Sequence, residues 1–379
     1  MRREGIPALL PAGAALITLL TVAAAPPADA APDPDPDRTG RQIYEATCAA
    51  CHGVDGRGNP PTQVGFDVPL PDFADCNFAS REPDGDWVGV AAEGGPTRAF
   101  DHTMPAFDEA LSAEELQKAM EHIRTFCPDE DWPRGELNLP RAMYTEKAYP
   151  EDEAVWTVAS PVDGPMGFHN EIVYEQRFGK RSQWELVVPF AAVERPAEAG
   201  GGWTGGFGDV AIGAKHALWH SLATGSILSI AGEVILPLGD EDDGIGGGVT
   251  ILEPFVSFGQ ILPAEAFFQA QVGGEFPTDT DIAGNEAFWR GALGRTFTAG
   301  DYGRAWSPMV EVVGSRELES GATTRWDVVP QFQVSLNTRQ HILANIALRI
   351  PLNDTEVRDT RLAVYFLWDW FDGGLTDGW

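Results

Sequence analysis

The sequence predicts a two-domain protein in which a small all-α domain precedes an antiparallel transmembrane β-barrel of about twelve strands. Three observations predict this architecture. An apolar leader opens the chain, helical hydrophobic periodicity continues to residue 127, and apolar and polar residues alternate with period two beyond residue 152. The length of 379 residues is comfortable for two domains.

The composition restricts the partners of the protein. A formal net charge of −31 argues against nucleic acid, because phosphates would repel so acidic a chain. The 42 glycines and 29 prolines exclude an all-helical protein, and four cysteines are too few for a disulfide-rich scaffold. Such acidity suits a solvated surface or a basic protein partner.

The first residues have the pattern of an export signal. Two arginines precede the apolar stretch 8–25, and the small residues at 28–30 fit a cleavage site. A membrane anchor is the alternative, but Pro11 and the many weakly apolar alanines argue against it. We therefore predict a signal peptide over residues 1–30, followed by a stiff proline-rich spacer over 31–37. Export places the cysteines in an oxidising compartment.

The stretch CAACH, from Cys48 to His52, is the first element with specific chemistry. Zinc would need a second pair of ligands at short spacing, and a thiol-redox motif would follow a strand, which is absent before Cys48. Cys-x-x-Cys-His is the attachment pattern of c-type haem. The spacing matches the two thiols to the two haem vinyl groups and turns His52 towards the iron. One covalent haem c, held by Cys48, Cys51 and His52, is predicted.

The surrounding sequence resembles the class I cytochromes c over residues 38–127. A short amphipathic helix, GRQIYEAT, leads into the motif, and a glycine-rich loop follows it. The loop HTMPAF contains Met104, and a last helix opens with a capping box of Ser112 and Glu115. The resemblance implies that Met104 is the distal iron ligand, which raises the reduction potential and leaves no open position on iron. His102 is the rival ligand and would give a bis-histidine haem of lower potential.

The remaining cysteines, Cys76 and Cys127, both lie within this helical domain. In an oxidising compartment we predict that they form a disulfide, with two buried free thiols as the alternative. The domain has roughly twice as many acidic as basic residues, which favours a redox partner with a basic face.

Residues 128–152 are rich in proline and charge and are predicted as a linker. Residues 153–372 follow as a region of about twelve strands near ten residues long, and 373–379 as a C-terminal tail. In RWDVVPQFQVSL, for example, Trp326 and Phe332 share one face, and Gln331 and Gln333 share the opposite face.

The alternation fits either a soluble sandwich or propeller, or a membrane barrel. Strand length, repeatedly charged polar faces and aromatic residues at strand ends favour the barrel. The connections also alternate between long and short, as in outer-membrane barrels with long external loops and short periplasmic turns. The first connection is long, which places the helical domain in the periplasm.

The segments GGFGDVAIGAKHALW and GEVILPLGDEDDG are similar to an outer-membrane transporter family associated with meta-pathway phenol degradation. The resemblance covers about residues 185–370. It implies passage of small molecules, apolar ones among them, and identifies no substrate residue.

Two functions follow as hypotheses. The first is a periplasm-facing mono-haem cytochrome that exchanges single electrons with periplasmic partners and is held in outer-membrane lipid by its barrel. The second is an outer-membrane channel for small solutes, with the haem domain as plug, sensor or electron source. No catalytic constellation stands out, and a peroxidase would need the iron position that Met104 occupies, so an enzyme is not expected.

Overall fold

The structure is a computed structural model that describes residues 37–163, 165–195, 201–241 and 244–379. The predicted signal peptide (1–30) and all but the last residue of the predicted spacer (31–37) lie outside this part of the chain. The predicted fold class is confirmed, since a small helical domain precedes a closed antiparallel β-barrel.

Capping residues define where the first and last helices of the helical domain begin. Thr39 and Gln42 form a capping box at one helix start, and Ser112 and Glu115 form another. No helix in the described ranges is long and apolar enough to cross a membrane. The α-helices are α1 (Gly40–Thr47), α2 (Ala49–His52), α3 (Pro61–Val64), α4 (Cys76–Ala79), α5 (Asp84–Glu93) and α6 (Ala113–Arg124).

The core of the helical domain lies between α1 and α6. Ile43 and Tyr44 of α1 are fully buried, and Leu116 and Met120 of α6 are buried with them. Each large side chain buried in this way contributes about 1.5–3 kcal/mol. The first and last helices therefore hold the domain together and fix the position of the motif that follows α1.

The second domain is built of strands. They are β1 (Glu153–Pro161), β2 (Gly167–Phe178), β3 (Ser182–Glu194), β4 (Trp203–Phe207), β5 (Val210–Ser221), β6 (Ser226–Leu236), β7 (Ile251–Leu262), β8 (Ala266–Pro277), β9 (Glu286–Arg295), β10 (Phe297–Thr298), β11 (Ala305–Glu317), β12 (Arg325–Ser335), β13 (Ile342–Pro351) and β14 (Arg361–Asp369).

Twelve of these strands form a closed ring. Each pairs antiparallel with its neighbours, β9 pairs with β11, and β14 pairs with β1, for example at Trp156 opposite Phe366. The short strands β4 and β10 extend the sheet beside β3 and β11. Closure pairs each of the twelve ring strands on both sides, so the ring itself has no free edge.

The barrel has an apolar outer face and a polar lumen. Outward side chains such as Val272, Phe332 and Ile346 are exposed, whereas inward side chains such as Gln183 and Ser257 are buried. A soluble sandwich would bury its apolar face, so these two faces exclude that alternative. The domain is a transmembrane β-barrel of the outer-membrane type.

The connections at one end of the barrel are mostly shorter than those at the other end. The first connection, which the sequence predicts to be long, is an exception, because β1 extends to Pro161 and β2 begins at Gly167, leaving five residues at 162–166. One end carries the entry into β1 and the exit from β14, and we name it the short-turn end. Its connections are residues 179–181, 222–225, 263–265, 299–304 and 336–341. The tail at 373–379 folds back onto this end, where Thr338 N donates to Gly378 O at 2.7 Å and Asn337 Nδ2 donates to Asp377 O at 3.0 Å.

Candidate haem site and luminal segment

The CAACH motif forms the single-turn helix α2 directly after α1. The backbone N–H groups of Cys51 and His52 donate to the carbonyl oxygen of Cys48 at 3.1 and 2.9 Å. Residues three apart on such a turn lie on one side of it. The two thiols therefore share a face, with the imidazole at the end of the turn.

Neighbouring side chains hold this turn in place. Asn59 Nδ2 donates to the carbonyls of Ala49 and Ala50 at 3.1 and 2.9 Å. The hydroxyl of Tyr44 donates to Gly53 O at 2.6 Å. These bonds satisfy carbonyl groups at the end of a helix too short to satisfy them itself.

The two motif cysteines are free thiols and are half-buried. Cys48 Sγ lies 3.3 Å from Thr47 Oγ1, and burial raises the pKa of the Cys48 thiol. Cys76 and Cys127, by contrast, are joined by a disulfide that ties the start of α4 to the chain beyond α6. Because Cys76 pairs with Cys127, Cys48 and Cys51 are left as the pair on one face of the turn, where two thiols can add to the haem vinyl groups.

His52 has the form of a ligand. Its ring centroid lies 5.1 Å from that of Phe73, and its Nδ1 is buried without a hydrogen-bond partner. Burial lowers the pKa of His52 to about 4, so the imidazole is neutral at neutral pH. Neutral imidazole is the form that binds iron. The donor set of Cys48, Cys51 and His52 fits a c-type haem.

Met104 lies in the loop between α5 and α6 and is half-buried. Gly95 N donates to Met104 O at 3.0 Å, and Met104 N donates to Asp101 O at 3.2 Å. A Cβ on Gly95 would meet the Asp101 carbonyl, so glycine allows this loop to lie directly against the end of α5. The side chain of its rival His102 is 90% exposed.

The structure places the second half of the predicted linker inside the barrel. We name residues 138–152 the luminal segment. Many of its residues are buried, and they form hydrogen bonds to strands around the whole barrel. Met143 N donates to Gln331 on β12, Thr145 Oγ1 to Glu311 on β11 at 2.6 Å, and Glu151 N to Gln183 on β3. The composition of residues 128–152 does not predict this position, since a solvated linker has the same charged composition.

Buried ion pairs fix the luminal segment. Arg141 Nη1 contacts Glu153 Oε1 at 2.7 Å and Glu175 Oε2 at 2.9 Å. Lys147 Nζ contacts Glu153 Oε2 at 3.0 Å. From the wall, Lys215 Nζ donates to Glu146 Oε1 at 2.8 Å. Buried charges are tolerated when they are paired in this way.

The helical domain packs onto the short-turn end of the barrel. Arg81 forms an ion pair with Asp152, and its guanidinium lies 4.8 Å from the ring centre of Phe371. Arg339, between β12 and β13, donates to Ala99 O at 2.9 Å. A cavity of about 600 Å³ remains between the domains, with Arg81, Glu82, Arg98, Arg141, Arg339 and Asp372 among its lining residues.

These features define a class: a c-type cytochrome domain joined to an outer-membrane β-barrel. Residues 35–123 match the sequence model of the family described as cytochrome c oxidase, cbb3-type, subunit III, so the resemblance of the helical domain to the cytochromes c is confirmed. No curated protein matches the chain in sequence.

Several solved barrels are similar in structure. The COG4313 outer membrane channel from Pseudomonas putida F1 is 12% identical, with 61% of this chain and 99% of that chain covered and a TM-score of 0.44. LpxR from Salmonella typhimurium is 10% identical, with 57% and 99% covered and a TM-score of 0.38. The KdgM porin is 8% identical, with 57% and 98% covered and a TM-score of 0.37. The assignment of the barrel depends on its closed sheet and its two faces.

Proposed function

We propose that the protein is a mono-haem cytochrome c tethered in the outer membrane, which exchanges single electrons with soluble periplasmic partners. Cys48 and Cys51 would hold one haem c through thioether bonds, with His52 as proximal and Met104 as distal ligand. The observation that carries the proposal is the α2 turn, where two free thiols and a neutral imidazole stand together.

Haem c supplies a one-electron redox centre when it is bound. The residues of this chain set its surroundings. The buried His52 remains neutral over the physiological range. The ring of Phe73 lies against it at a centroid distance of 5.1 Å and packs in turn against Trp87. The Met104 loop is held against α5, and a thioether at that position favours a high potential.

The barrel acts as an anchor in this proposal. The luminal segment is bonded to the lumen wall, and it joins the helical domain without a free linker. The helical domain packs on the short-turn end, and short turns are periplasmic in bacterial outer-membrane barrels. The acidic excess of residues 38–127 supports a partner with a basic face.

A channel for small solutes is the second candidate function. The cavity of about 600 Å³ at the short-turn end supports it, since a solute leaving the lumen would enter that space. The luminal segment occupies the path, so conduction requires that it leave the lumen.

The first test is haem staining and spectroscopy of the full-length protein from outer-membrane fractions, after expression with a working cytochrome-maturation system. We expect covalent haem that is lost in C48S/C51S. In the oxidised spectrum, the methionine-to-iron band should disappear in Met104→Ala and persist in the matched control His102→Ala. Absence of this band from the wild type, together with a haem spectrum that changes in His102→Ala and not in Met104→Ala, would reverse the ligand assignment.

The second test addresses orientation. A protease added to intact cells should leave the helical domain uncut, and permeabilising the outer membrane should expose it. Cleavage of the domain in intact cells would contradict a periplasmic position.

A further inference from the structure

We propose that the barrel lumen contains a binding site for a small carboxylate solute with an apolar body, formed by Arg349, Arg358 and Arg361 above Tyr144. The arginines lie in β13, in the connection 352–360 and in β14, at the end of the barrel opposite the short-turn end. Tyr144 belongs to the luminal segment. The site goes beyond the proposed electron transfer, and its occupation requires neither haem nor conduction through the barrel.

Two of the arginines are held together by one aspartate. Arg349 Nε and Nη2 donate to Asp327 Oδ2 at 2.9 and 2.6 Å, and Arg358 Nη2 donates to Asp327 Oδ1. Asp327 is only 2% exposed, so its carboxylate is a buried anchor that fixes both guanidinium groups. Each of its two oxygens is already engaged by one arginine.

Arg361 brings a third guanidinium to the same place. It is directly opposite Arg349 in the pairing of β13 with β14, and it shares the inward face of β14 with the buried Tyr365. Its charge acts on the Tyr144 hydroxyl and on the ring of His169 in β2, both of which belong to the lumen. The guanidinium of Arg361 therefore lies on the lumen side, near the luminal segment.

The three arginines have more positive charge than their partners offset. Like charges directly opposite each other on neighbouring strands destabilise a sheet, and Arg349 and Arg361 are such a pair. Arg361 is exposed and, among the residues that the structure describes, forms no ion pair and no side-chain hydrogen bond. The acidic residues of the connection 352–360 are exposed and form no ion pair with these arginines over the same described ranges; they are Asp354, Glu356 and Asp359. An anion that enters the lumen can therefore pair with Arg361.

The geometry of arginine favours a carboxylate as this anion. The planar guanidinium presents paired N–H donors that match the two oxygens of a carboxylate. Arg349 already uses two of its donors on Asp327, which shows that the wall recognises carboxylates in this way. The side chain of Arg349 remains 32% exposed, so a solute carboxylate bound by Arg361 can also contact it.

The surface below the arginines is apolar. The guanidinium of Arg349 lies 4.9 Å from the ring centre of Tyr144, which is half-buried. Tyr144 packs in turn against a cluster of aliphatic wall residues: Val313, Val329, Ala347 and Ala363. A ligand held by its carboxylate would place an apolar body on this surface and remove it from water. This distinguishes the proposed ligand from an inorganic anion.

The test is equilibrium dialysis of radioactive hexanoate against the full-length holoprotein, purified free of lipopolysaccharide in an uncharged detergent. We expect about one saturable site per chain, with affinity at least about tenfold weaker in Arg361→Gln, which removes the charge and the forked donors. Arg361→Lys keeps the charge without the fork and should fall between the two. The matched control Arg316→Gln removes the same charge from the outward face of β11 at the same end of the barrel, and it should bind as the wild type does.

Two unlabelled competitors test the class of ligand. Hexanamide has the same body without the charge, and inorganic phosphate has charge without the body. Each should require at least about tenfold higher concentration than unlabelled hexanoate to displace the label. Displacement by either competitor at the same concentration as hexanoate would overturn the assignment of a carboxylate with an apolar body.

Heat-modifiable mobility in gels reports whether each barrel is folded, and Arg361→Lys serves as the deciding variant if Arg361→Gln does not fold. A wild-type protein that shows no saturable hexanoate binding would overturn the proposal. So would equal binding by the wild type and by the folded variant of Arg361.

Discussion

Replacing Arg141 by alanine should release the luminal segment from the barrel. Its guanidinium bridges Glu153 and Glu175, at 2.7 and 2.9 Å, and both glutamates are fully buried. The backbone carbonyl of Arg141 also accepts a hydrogen bond from the Tyr365 hydroxyl at 2.7 Å, which the substitution leaves intact. Arg141→Ala therefore removes the ion pairs and retains the backbone contact.

The size of the effect follows from the buried carboxylates. Removing one partner of a buried ion pair costs about 3–5 kcal/mol, because the remaining charge stays buried and uncompensated. Here Glu153 keeps its contact with Lys147 at 3.0 Å, whereas Glu175 loses its closest basic partner, so the cost lies near the lower figure. If the segment can relieve this cost by leaving the lumen, the open population should rise by about two orders of magnitude.

Planar-bilayer recording of the purified protein measures this population. We expect rare openings in the wild type and frequent openings in Arg141→Ala. Arg141→Lys should fall between them, because lysine keeps the charge but lacks the forked donors of arginine. Adding Glu153→Gln and Glu175→Gln to Arg141→Ala should restore part of the closed population.

Arg57→Ala is the matched control, since Arg57 pairs with Asp72 on the exposed surface of the helical domain. Surface pairs of this kind contribute about 0–1 kcal/mol, so its recordings should equal those of the wild type. Arg141→Ala channels that open no more often than Arg57→Ala channels would refute the role of these ion pairs in holding the luminal segment.

Two further predictions concern the helical domain. C76S/C127S should lower the free energy of unfolding of the helical domain by about 4 kcal/mol, because the disulfide spans 51 residues. Urea titration followed by haem absorbance measures this loss. An unchanged unfolding midpoint would contradict the prediction. Burial raises the pKa of Asp372 at the domain interface to about 7, from 3.8. The stabilisation of docking is therefore complete below pH 3.8 and lost as the pH rises through about 7. Cross-linking between the domains should fall over that range in the wild type and stay level in Asp372→Asn; a pH-independent wild type would count against it.

The barrel was predictable because its strands obey a local rule. In β12, Trp326 and Phe332 face outward, and Gln331 and Gln333 face the lumen, as the period of two requires. Each strand carries this signal independently of the others. The closure of β14 onto β1 has no such signal, because it depends on the tilt and stagger of the whole sheet.

The candidate haem site was predictable only in part, for a similar reason. Cys48, Cys51 and His52 lie on one helical turn, so their spacing in sequence sets their spacing in space. Met104 is more than fifty residues further along the chain. The contrast between a half-buried Met104 and an exposed His102 arises from packing against α5, which local sequence does not encode.

The luminal segment explains why a linker-like composition was uninformative. A polar lumen offers the hydrogen-bonding partners that water offers, so charged residues suit both environments. The wall residues Glu153, Glu175 and Glu311 are buried and accept bonds from the segment. Acidic side chains that face the lumen from several strands therefore indicate that another part of the chain enters the lumen and supplies basic and hydrogen-bond-donating groups.

This arrangement couples the two domains mechanically. Tyr149 donates to Ser80 O of the helical domain at 3.3 Å, and Asp152 binds Arg81, while Glu151 N in between donates to Gln183 of the barrel wall. The end of the luminal segment thus contacts the helical domain and the lumen through neighbouring residues. Movement of the helical domain away from the barrel would pull directly on the luminal segment. The attachment of the helical domain and the position of the luminal segment therefore depend on the same contacts.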